Sequence, residues 1–195
     1  MLTLPLSSEG NVVVFGNAES GKENLLSTIV YDIVTNHSSE EAQLYLLDFG
    51  TESLKIFGDC PHVGDVVYIN DTEKINRLFE MIEKEIKKRK DALSEYNGDY
   101  GLYIKTSDEP MPEIIVVINN FEAFSENHGD KYEDILMMLT REATKYGIKF
   151  IFTASTSGAI RYRMAQNFKQ KIALQLNNQD DFISILEGVR KEKTV

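Results

Sequence analysis

The sequence contains no tryptophan, four prolines, three histidines and a single cysteine, Cys60. One cysteine excludes an internal disulfide and suits a reducing compartment, so a packed core has to hold the fold. No run of about 18 apolar residues occurs, which excludes a membrane-spanning helix within these residues. Positive charge is also scarce, with 21 Lys and Arg against 31 Asp and Glu, a formal net charge of −10. Nucleic-acid binding draws most of its affinity from cations that neutralise phosphates, so this balance argues against a free-standing DNA-binding domain. Cys60 and His62 invite a metal pair, but His37 and His128 lie far off in sequence and no further cysteine exists. The two read as loop residues, and no metal site is expected.

Apolar material is ample: 42% of the 195 residues are hydrophobic, enough for one domain spanning 1–195 with a substantial core. Short apolar, β-branched runs at Asn11–Phe15, Gln43–Leu47, Asp65–Ile69, Glu113–Ile118 and Ile148–Ala154 predict strands, several of them buried on both faces. Helical spacing of apolar residues follows between them. Leu25, Leu26, Ile29, Val30 and Ile33 predict a helix from Lys22 to about Asn36. Ile75, Leu78, Phe79, Ile82, Ile86 and Leu93 predict a long one capped by Asn70 or Asp71. Tyr132, Ile135, Leu136, Leu139 and Ala143 predict a third, stopped at Gly147. A helical turn near Leu54 and Phe57, a helix from Thr156 or Ser157 through Met164, an edge strand over Gln170–Leu176 and a last helix over Asp180–Leu186 complete the pattern. The stretch with Gly98, Gly101, Pro110 and Pro112 reads as a polar loop. Strands alternating with helices imply an α/β fold, a mostly parallel sheet with helices on both faces. The basic run Lys84, Lys87, Lys88, Arg89 and Lys90 reads as a solvated helix face. Leu2, Leu4 and Leu6 alternate like a strand and Arg190–Thr194 reads as a linker, so the expectation is a domain excised from a longer protein.

Chemistry concentrates in Gly16-Asn17-Ala18-Glu19-Ser20-Gly21-Lys22-Glu23. The spacing is that of the phosphate-binding loop G-x-x-x-x-G-K-[ST], in which backbone N–H groups and the lysine hold phosphates and the last hydroxyl holds Mg²⁺. Strand before and helix after supply the context the motif needs. The alternative is an ordinary strand–helix turn with convenient glycines. At position 23 the hydroxyl is replaced by a carboxylate, and Glu19 adds another. Two unit charges about 4 Å apart repel by about 4 kcal/mol at an effective dielectric of about 20, which counts heavily against a magnesium-bound triphosphate. The helix N-terminus and backbone donors remain, leaving room for weak ATP or ADP binding. No cofactor is otherwise expected.

A motor of this kind needs a second strand that ends in acid, one carboxylate supporting Mg²⁺ and the next positioning water. Here Glu113–Ile118 is followed by Asn119 and Asn120. Amides ligate Mg²⁺ poorly and accept no proton from water. Glu122 falls two residues late and is expected to point elsewhere. No catalytic residue is therefore assigned, and Gly16–Glu23 with Asn119 and Asn120 read as a vestigial nucleotide site.

These residues, with Tyr45–Thr51, Pro61–Asp65, Glu85–Lys90 and Phe152–Ser155, resemble the FtsK/SpoIIIE branch of P-loop ATPases. Within it the likeness is to the second ATPase-like domain of the EssC/EccC type in type VII secretion. The resemblance implies a RecA-like P-loop fold and a membrane-anchored parent whose cytoplasmic part strings several such domains together. It implies neighbouring ATPase-like domains of the same chain as partners, oligomerisation of the parent, and export of WXG100-type substrates. By the same likeness Glu23 departs from Ser or Thr, Asn119 and Asn120 depart from the two acids, and Thr156 stands where relatives carry Arg. Arg141, Arg161 and Arg163 are candidates for contacts to a neighbouring domain or for surface ion pairs. The function expected is a non-hydrolysing module for packing, regulation or substrate reception. The alternatives are an active ATPase in which Glu23 ligates Mg²⁺ and Glu122 serves as base, and a DNA translocase domain.

Overall fold

The computed structural model describes residues 10–185. The expected strand at Leu2–Leu6, the linker at Arg190–Thr194 and the last residue of the final helix lie outside the described residues. The sheet has six parallel strands: β1 (Val12–Phe15), β2 (Ala42–Asp48), β3 (Val63–Tyr68), β4 (Glu113–Asn119), β5 (Ile148–Ala154) and β6 (Gln170–Ala173). Their spatial order is β3-β2-β4-β5-β1-β6. β5 therefore separates the loop strand β1 from β4, and β6 is an edge, as its modest apolarity suggested.

Alternate residues face opposite sides, as the two-residue period of a strand requires. Val13, Phe15, Val116, Ile118, Phe150 and Phe152 enter one core; Val12, Val14, Ile115, Val117 and Ile151 enter the other. The second core is closed by α1 (Lys22–Asn36) and a 3-10 turn at Ser53–Phe57, through Leu26, Ile29, Val30, Ile33, Leu54 and Phe57. The first is closed by α2 (Thr72–Ala92) and α4 (Phe121–Glu142), through Ile75, Phe79, Ile82, Phe121, Phe124, Leu136 and Leu139. Helices on both faces of a parallel sheet are what the alternation of elements predicted.

Three local expectations need correction. The polar stretch after Leu93 contains a helix, α3 (Tyr100–Thr106), whose N-cap Asp99 accepts from Leu102 N–H at 3.0 Å. The helix expected through Met164 is broken into a 3-10 turn at Ser157–Ala159 and the short α5 (Tyr162–Ala165), because Ile160 turns inward to 2% exposure and bends the chain. Arg89 is not solvated with Lys84, Lys87, Lys88 and Lys90 but buried at 1% exposure. Its guanidinium pairs with Glu85 at 3.0 Å and donates to the carbonyls of Tyr146 at 2.8 Å and Pro112 at 2.7 Å. It thereby ties α2 to the entry ends of β4 and β5. A final helix, α6 (Gln179–Ile185), closes the described chain.

Candidate functional site

Parallel register places the strand exits side by side. Phe15 pairs with Ala154, Ile118 with Phe152, and Asp48 with Asn119. The residues just beyond β1, β2, β4 and β5 thus share one edge of the sheet, the edge where open parallel sheets bind ligands.

Gly16 leaves β1, its N–H donating to Ala154 at 3.0 Å. A Cβ on Gly16 would lie 2.4 Å from Ser20 Oγ, so the loop closes only over glycine. Glu19 (φ 61°) and Gly21 (φ 89°) take left-handed conformations that turn the chain into α1. Ala18 and Glu19 are exposed, and Ser20 Oγ is buried without a partner among the described residues. Asn17 is held by the β6–α6 connection, its N–H on Gln175 O at 2.8 Å and its amide on Asn177 Oδ1 at 2.6 Å. Lys22 folds over the loop. Its Nζ donates to Gly16 O, to Asn17 O at 3.0 Å and to Ser155 Oγ at 3.4 Å. Burial lowers the Lys22 pKa from its ordinary value, while Glu122 and Glu23 oppose that shift.

Glu23 lies in the first turn of α1, where the helix dipole favours negative charge. Its Oε2 accepts from Thr51 Oγ1 at 2.6 Å. A Cβ on Gly50 would lie 3.0 Å from Glu23 Oε1 and 2.7 Å from Asn119 Nδ2, so both side chains approach Gly50. Asn119 is 1% exposed and fully engaged: Nδ2 donates to Asp48 Oδ1 at 2.9 Å and Oδ1 accepts from Thr153 Oγ1 at 2.7 Å. Asp48, itself 2% exposed, also accepts from the N–H groups of Gly50 and Leu54, at 3.1 and 2.9 Å. Asn120 adopts φ 63° and caps α4, accepting from Ala123 N–H at 3.4 Å and donating to Phe49 O at 3.1 Å. Its amide is spent on local structure.

A magnesium ion in a nucleotide site keeps several waters and takes one or two protein oxygens beside the phosphates. The oxygen of Asn119 and one oxygen of Glu23 are already bonded, and Asp48 is committed to backbone N–H groups.

Glu122 departs from expectation. Rather than pointing away, its Oε1 accepts from the N–H of Ser155, and of Thr156 at 3.3 Å, which brings it to the exit of β5 beside Lys22. The left-handed turn at Asn120 sets this direction, and spacing alone carries no sign of it. Asp48 and Thr153 enter the site through strand register, and Thr51 and Ser155 follow from the β2 and β5 exits.

The remaining candidates lie elsewhere. Arg141 pairs with Glu142 at 2.9 Å, Arg161 with the buried Glu133 at 2.8 Å, and Arg163 is exposed on α5. His62 is buried with Nε2 2.8 Å from His37 O, and Cys60 packs against the second core. A cavity of about 310 Å³, lined by Phe15, Ile160, Arg161, Tyr162, Lys171 and Ile185 among others, includes no residue of the loop 16–23.

Comparison with known proteins agrees with this layout. The profile of the FtsK/SpoIIIE family matches residues 2–191. The chain is 28% identical to type VII secretion system protein EssC of Staphylococcus aureus (strain NCTC 8325 / PS 47), over 95% of this chain and 13% of that protein. It is 28% identical to ESX secretion system protein EccC of Geobacillus thermodenitrificans (strain NG80-2), over 91% of this chain and 12% of that protein. Among solved structures, EssC ATPases 2 and 3 from Geobacillus thermodenitrificans superpose with a TM-score of 0.89 at 27% identity, covering 97% of this chain and 36% of that one. The cytoplasmic domain of EssC gives 0.86 at 25% identity, covering 97% and 40%. The chain thus spans about an eighth of the length of the curated relatives it matches.

Proposed function

The chain belongs to the FtsK/SpoIIIE family, and from that premise we propose that it is a non-hydrolysing ATPase-like domain of a type VII secretion motor. Its RecA-like P-loop fold would serve as a body for packing against neighbouring ATPase-like domains of the same chain, for regulating them, and for receiving WXG100-type substrates. The setting is the cytoplasmic part of a membrane-anchored protein. The relatives' names support the secretion system and the ATPase domains.

One observation carries the reading: where the loop motif places a hydroxyl for Mg²⁺, the Glu23 carboxylate is bonded to Thr51 and lies, like the amide of Asn119, against Gly50. Catalysis of phosphoryl transfer is nearly all positioning and charge stabilisation by metal and donors. A second reading, a working ATPase, draws support from Glu122 reaching the β5 exit. There, however, Oε1 is held by two backbone N–H groups.

Phosphate release from Mg-ATP tests the proposal. The 195-residue chain should show the same background rate as its Lys22→Ala variant. Turnover that requires Lys22 would overturn it.

A further inference from the structure

Glu122 is a carboxylate at this edge that the loop motif does not place there. Its Oε1 bonds the N–H of Ser155, and of Thr156 at 3.3 Å, while Lys22 Nζ approaches the hydroxyl of the same Ser155 from the loop side at 3.4 Å. A negative and a positive side chain converge on one residue at the exit of β5. The Glu122 charge favours the ammonium form of Lys22, against its burial. Glu122 Oε2 is buried and has no hydrogen-bond partner among the described residues, so no further donor disperses its charge.

In a loop of this shape the first two phosphates rest in the nest of backbone N–H groups at the helix N-terminus. The lysine reaches the second and third, and the third lies outward, toward the neighbouring strand exits. In this chain Lys22 and Glu122 converge on Ser155 on that side. The backbone donors that could receive a terminal phosphate there, at Ser155 and Thr156, already hold a carboxylate. We propose that Glu122 stands in for the terminal phosphate, so that this site takes a nucleoside diphosphate in preference to a triphosphate. The inference rests on reading the loop as a nucleotide site that does not hydrolyse, and it names the ligand of that site. A diphosphate needs only the nest and Lys22, whose Nζ would trade its bonds to the Gly16 and Asn17 carbonyls for the phosphate. A triphosphate must displace Glu122 from its donors or sit against its charge.

Calorimetric titration of the 195-residue chain with ADP and with ATP, in EDTA, is the test. ADP should bind at least tenfold more tightly than ATP. Glu122→Gln keeps an oxygen for the two N–H groups and removes the charge; it should strengthen ATP binding about tenfold, equivalent to about 1.4 kcal/mol, and change ADP binding less than threefold. Equal affinities in the unaltered chain, or a preference unmoved in Glu122→Gln, would overturn the proposal. The unaltered ratio decides by itself should the variant fold poorly. Failure of both nucleotides to bind would also overturn it while leaving the non-hydrolysing reading intact. Lys22-dependent phosphate release would instead strike that underlying reading.

Discussion

Glu23 is placed where it does two opposite things. It caps the field of the α1 N-terminus and accepts a 2.6 Å hydrogen bond from Thr51, both favourable to the fold. It also faces the ground a metal-bound phosphate would occupy. Glu23→Ser should therefore cost little stability, within about 1 kcal/mol for one lost side-chain bond. It should raise affinity for Mg-ADP about tenfold through relief of repulsion between partly screened charges. A thermal-shift titration reads both, since a ligand of the native state raises the melting temperature by mass action. The loop itself was legible residue by residue, because Gly16, Gly21 and Lys22 stand at fixed spacing after an apolar run. Glu122 was not, because its direction depends on the left-handed turn at Asn120 (φ 63°) and on the lie of β5, neither of which spacing encodes. Asp48 was legible as the end of a strand. Its bond to Asn119 follows only from β2 pairing with β4.

Helices and strands were legible wherever the apolar period was long and unmixed, as in α2 and β4. Where charge was dense, pattern misled. Arg89 sits in a run of lysines, yet it alone reaches inward and satisfies the carbonyls of Tyr146 and Pro112. Arg89→Met should lower unfolding free energy by roughly 3 kcal/mol, since it orphans buried acceptors and strips Glu85 of its buried partner, leaving the exposed Lys88 at 3.7 Å. The urea midpoint should fall with an unchanged slope. The helix α3 was missed because its seven residues are too few to show a period. Tyr100 at its start packs against Gly147, its hydroxyl donates to Met111 O at 2.9 Å, and burial pushes its pKa up to about 12, with the Glu113 charge adding to the shift. The folded protein thus keeps this proton where the unfolded chain, titrating near 10.0, loses it. The stabilisation is complete below pH about 10 and is lost as pH rises toward 12. Alkaline melting of Tyr100→Phe should accordingly be flatter over that window than melting of the unaltered chain.

At the scale of the molecule, the sheet order brings four strand exits to one edge, and it is there that Glu23, Asn119, Asn120, Asp48 and Glu122 gather. The architecture survives intact because it rests on two cores, neither of which uses a site residue. Fold and chemistry are therefore separable here: hydrophobic burial maintains the first whatever becomes of the second. The alternation of elements made the fold class readable in advance. The inward bend at Ile160 and the clamp at Arg89 are long-range packing and were not. That separability underlies the proposal that the scaffold persists while a metal-dependent grip on triphosphate is lost. Calorimetric titration of ATP with saturating Mg²⁺ and again with EDTA measures that grip directly. The account predicts that Mg²⁺ brings no gain in affinity. A gain of tenfold or more that disappears in Glu23→Ala would contradict it.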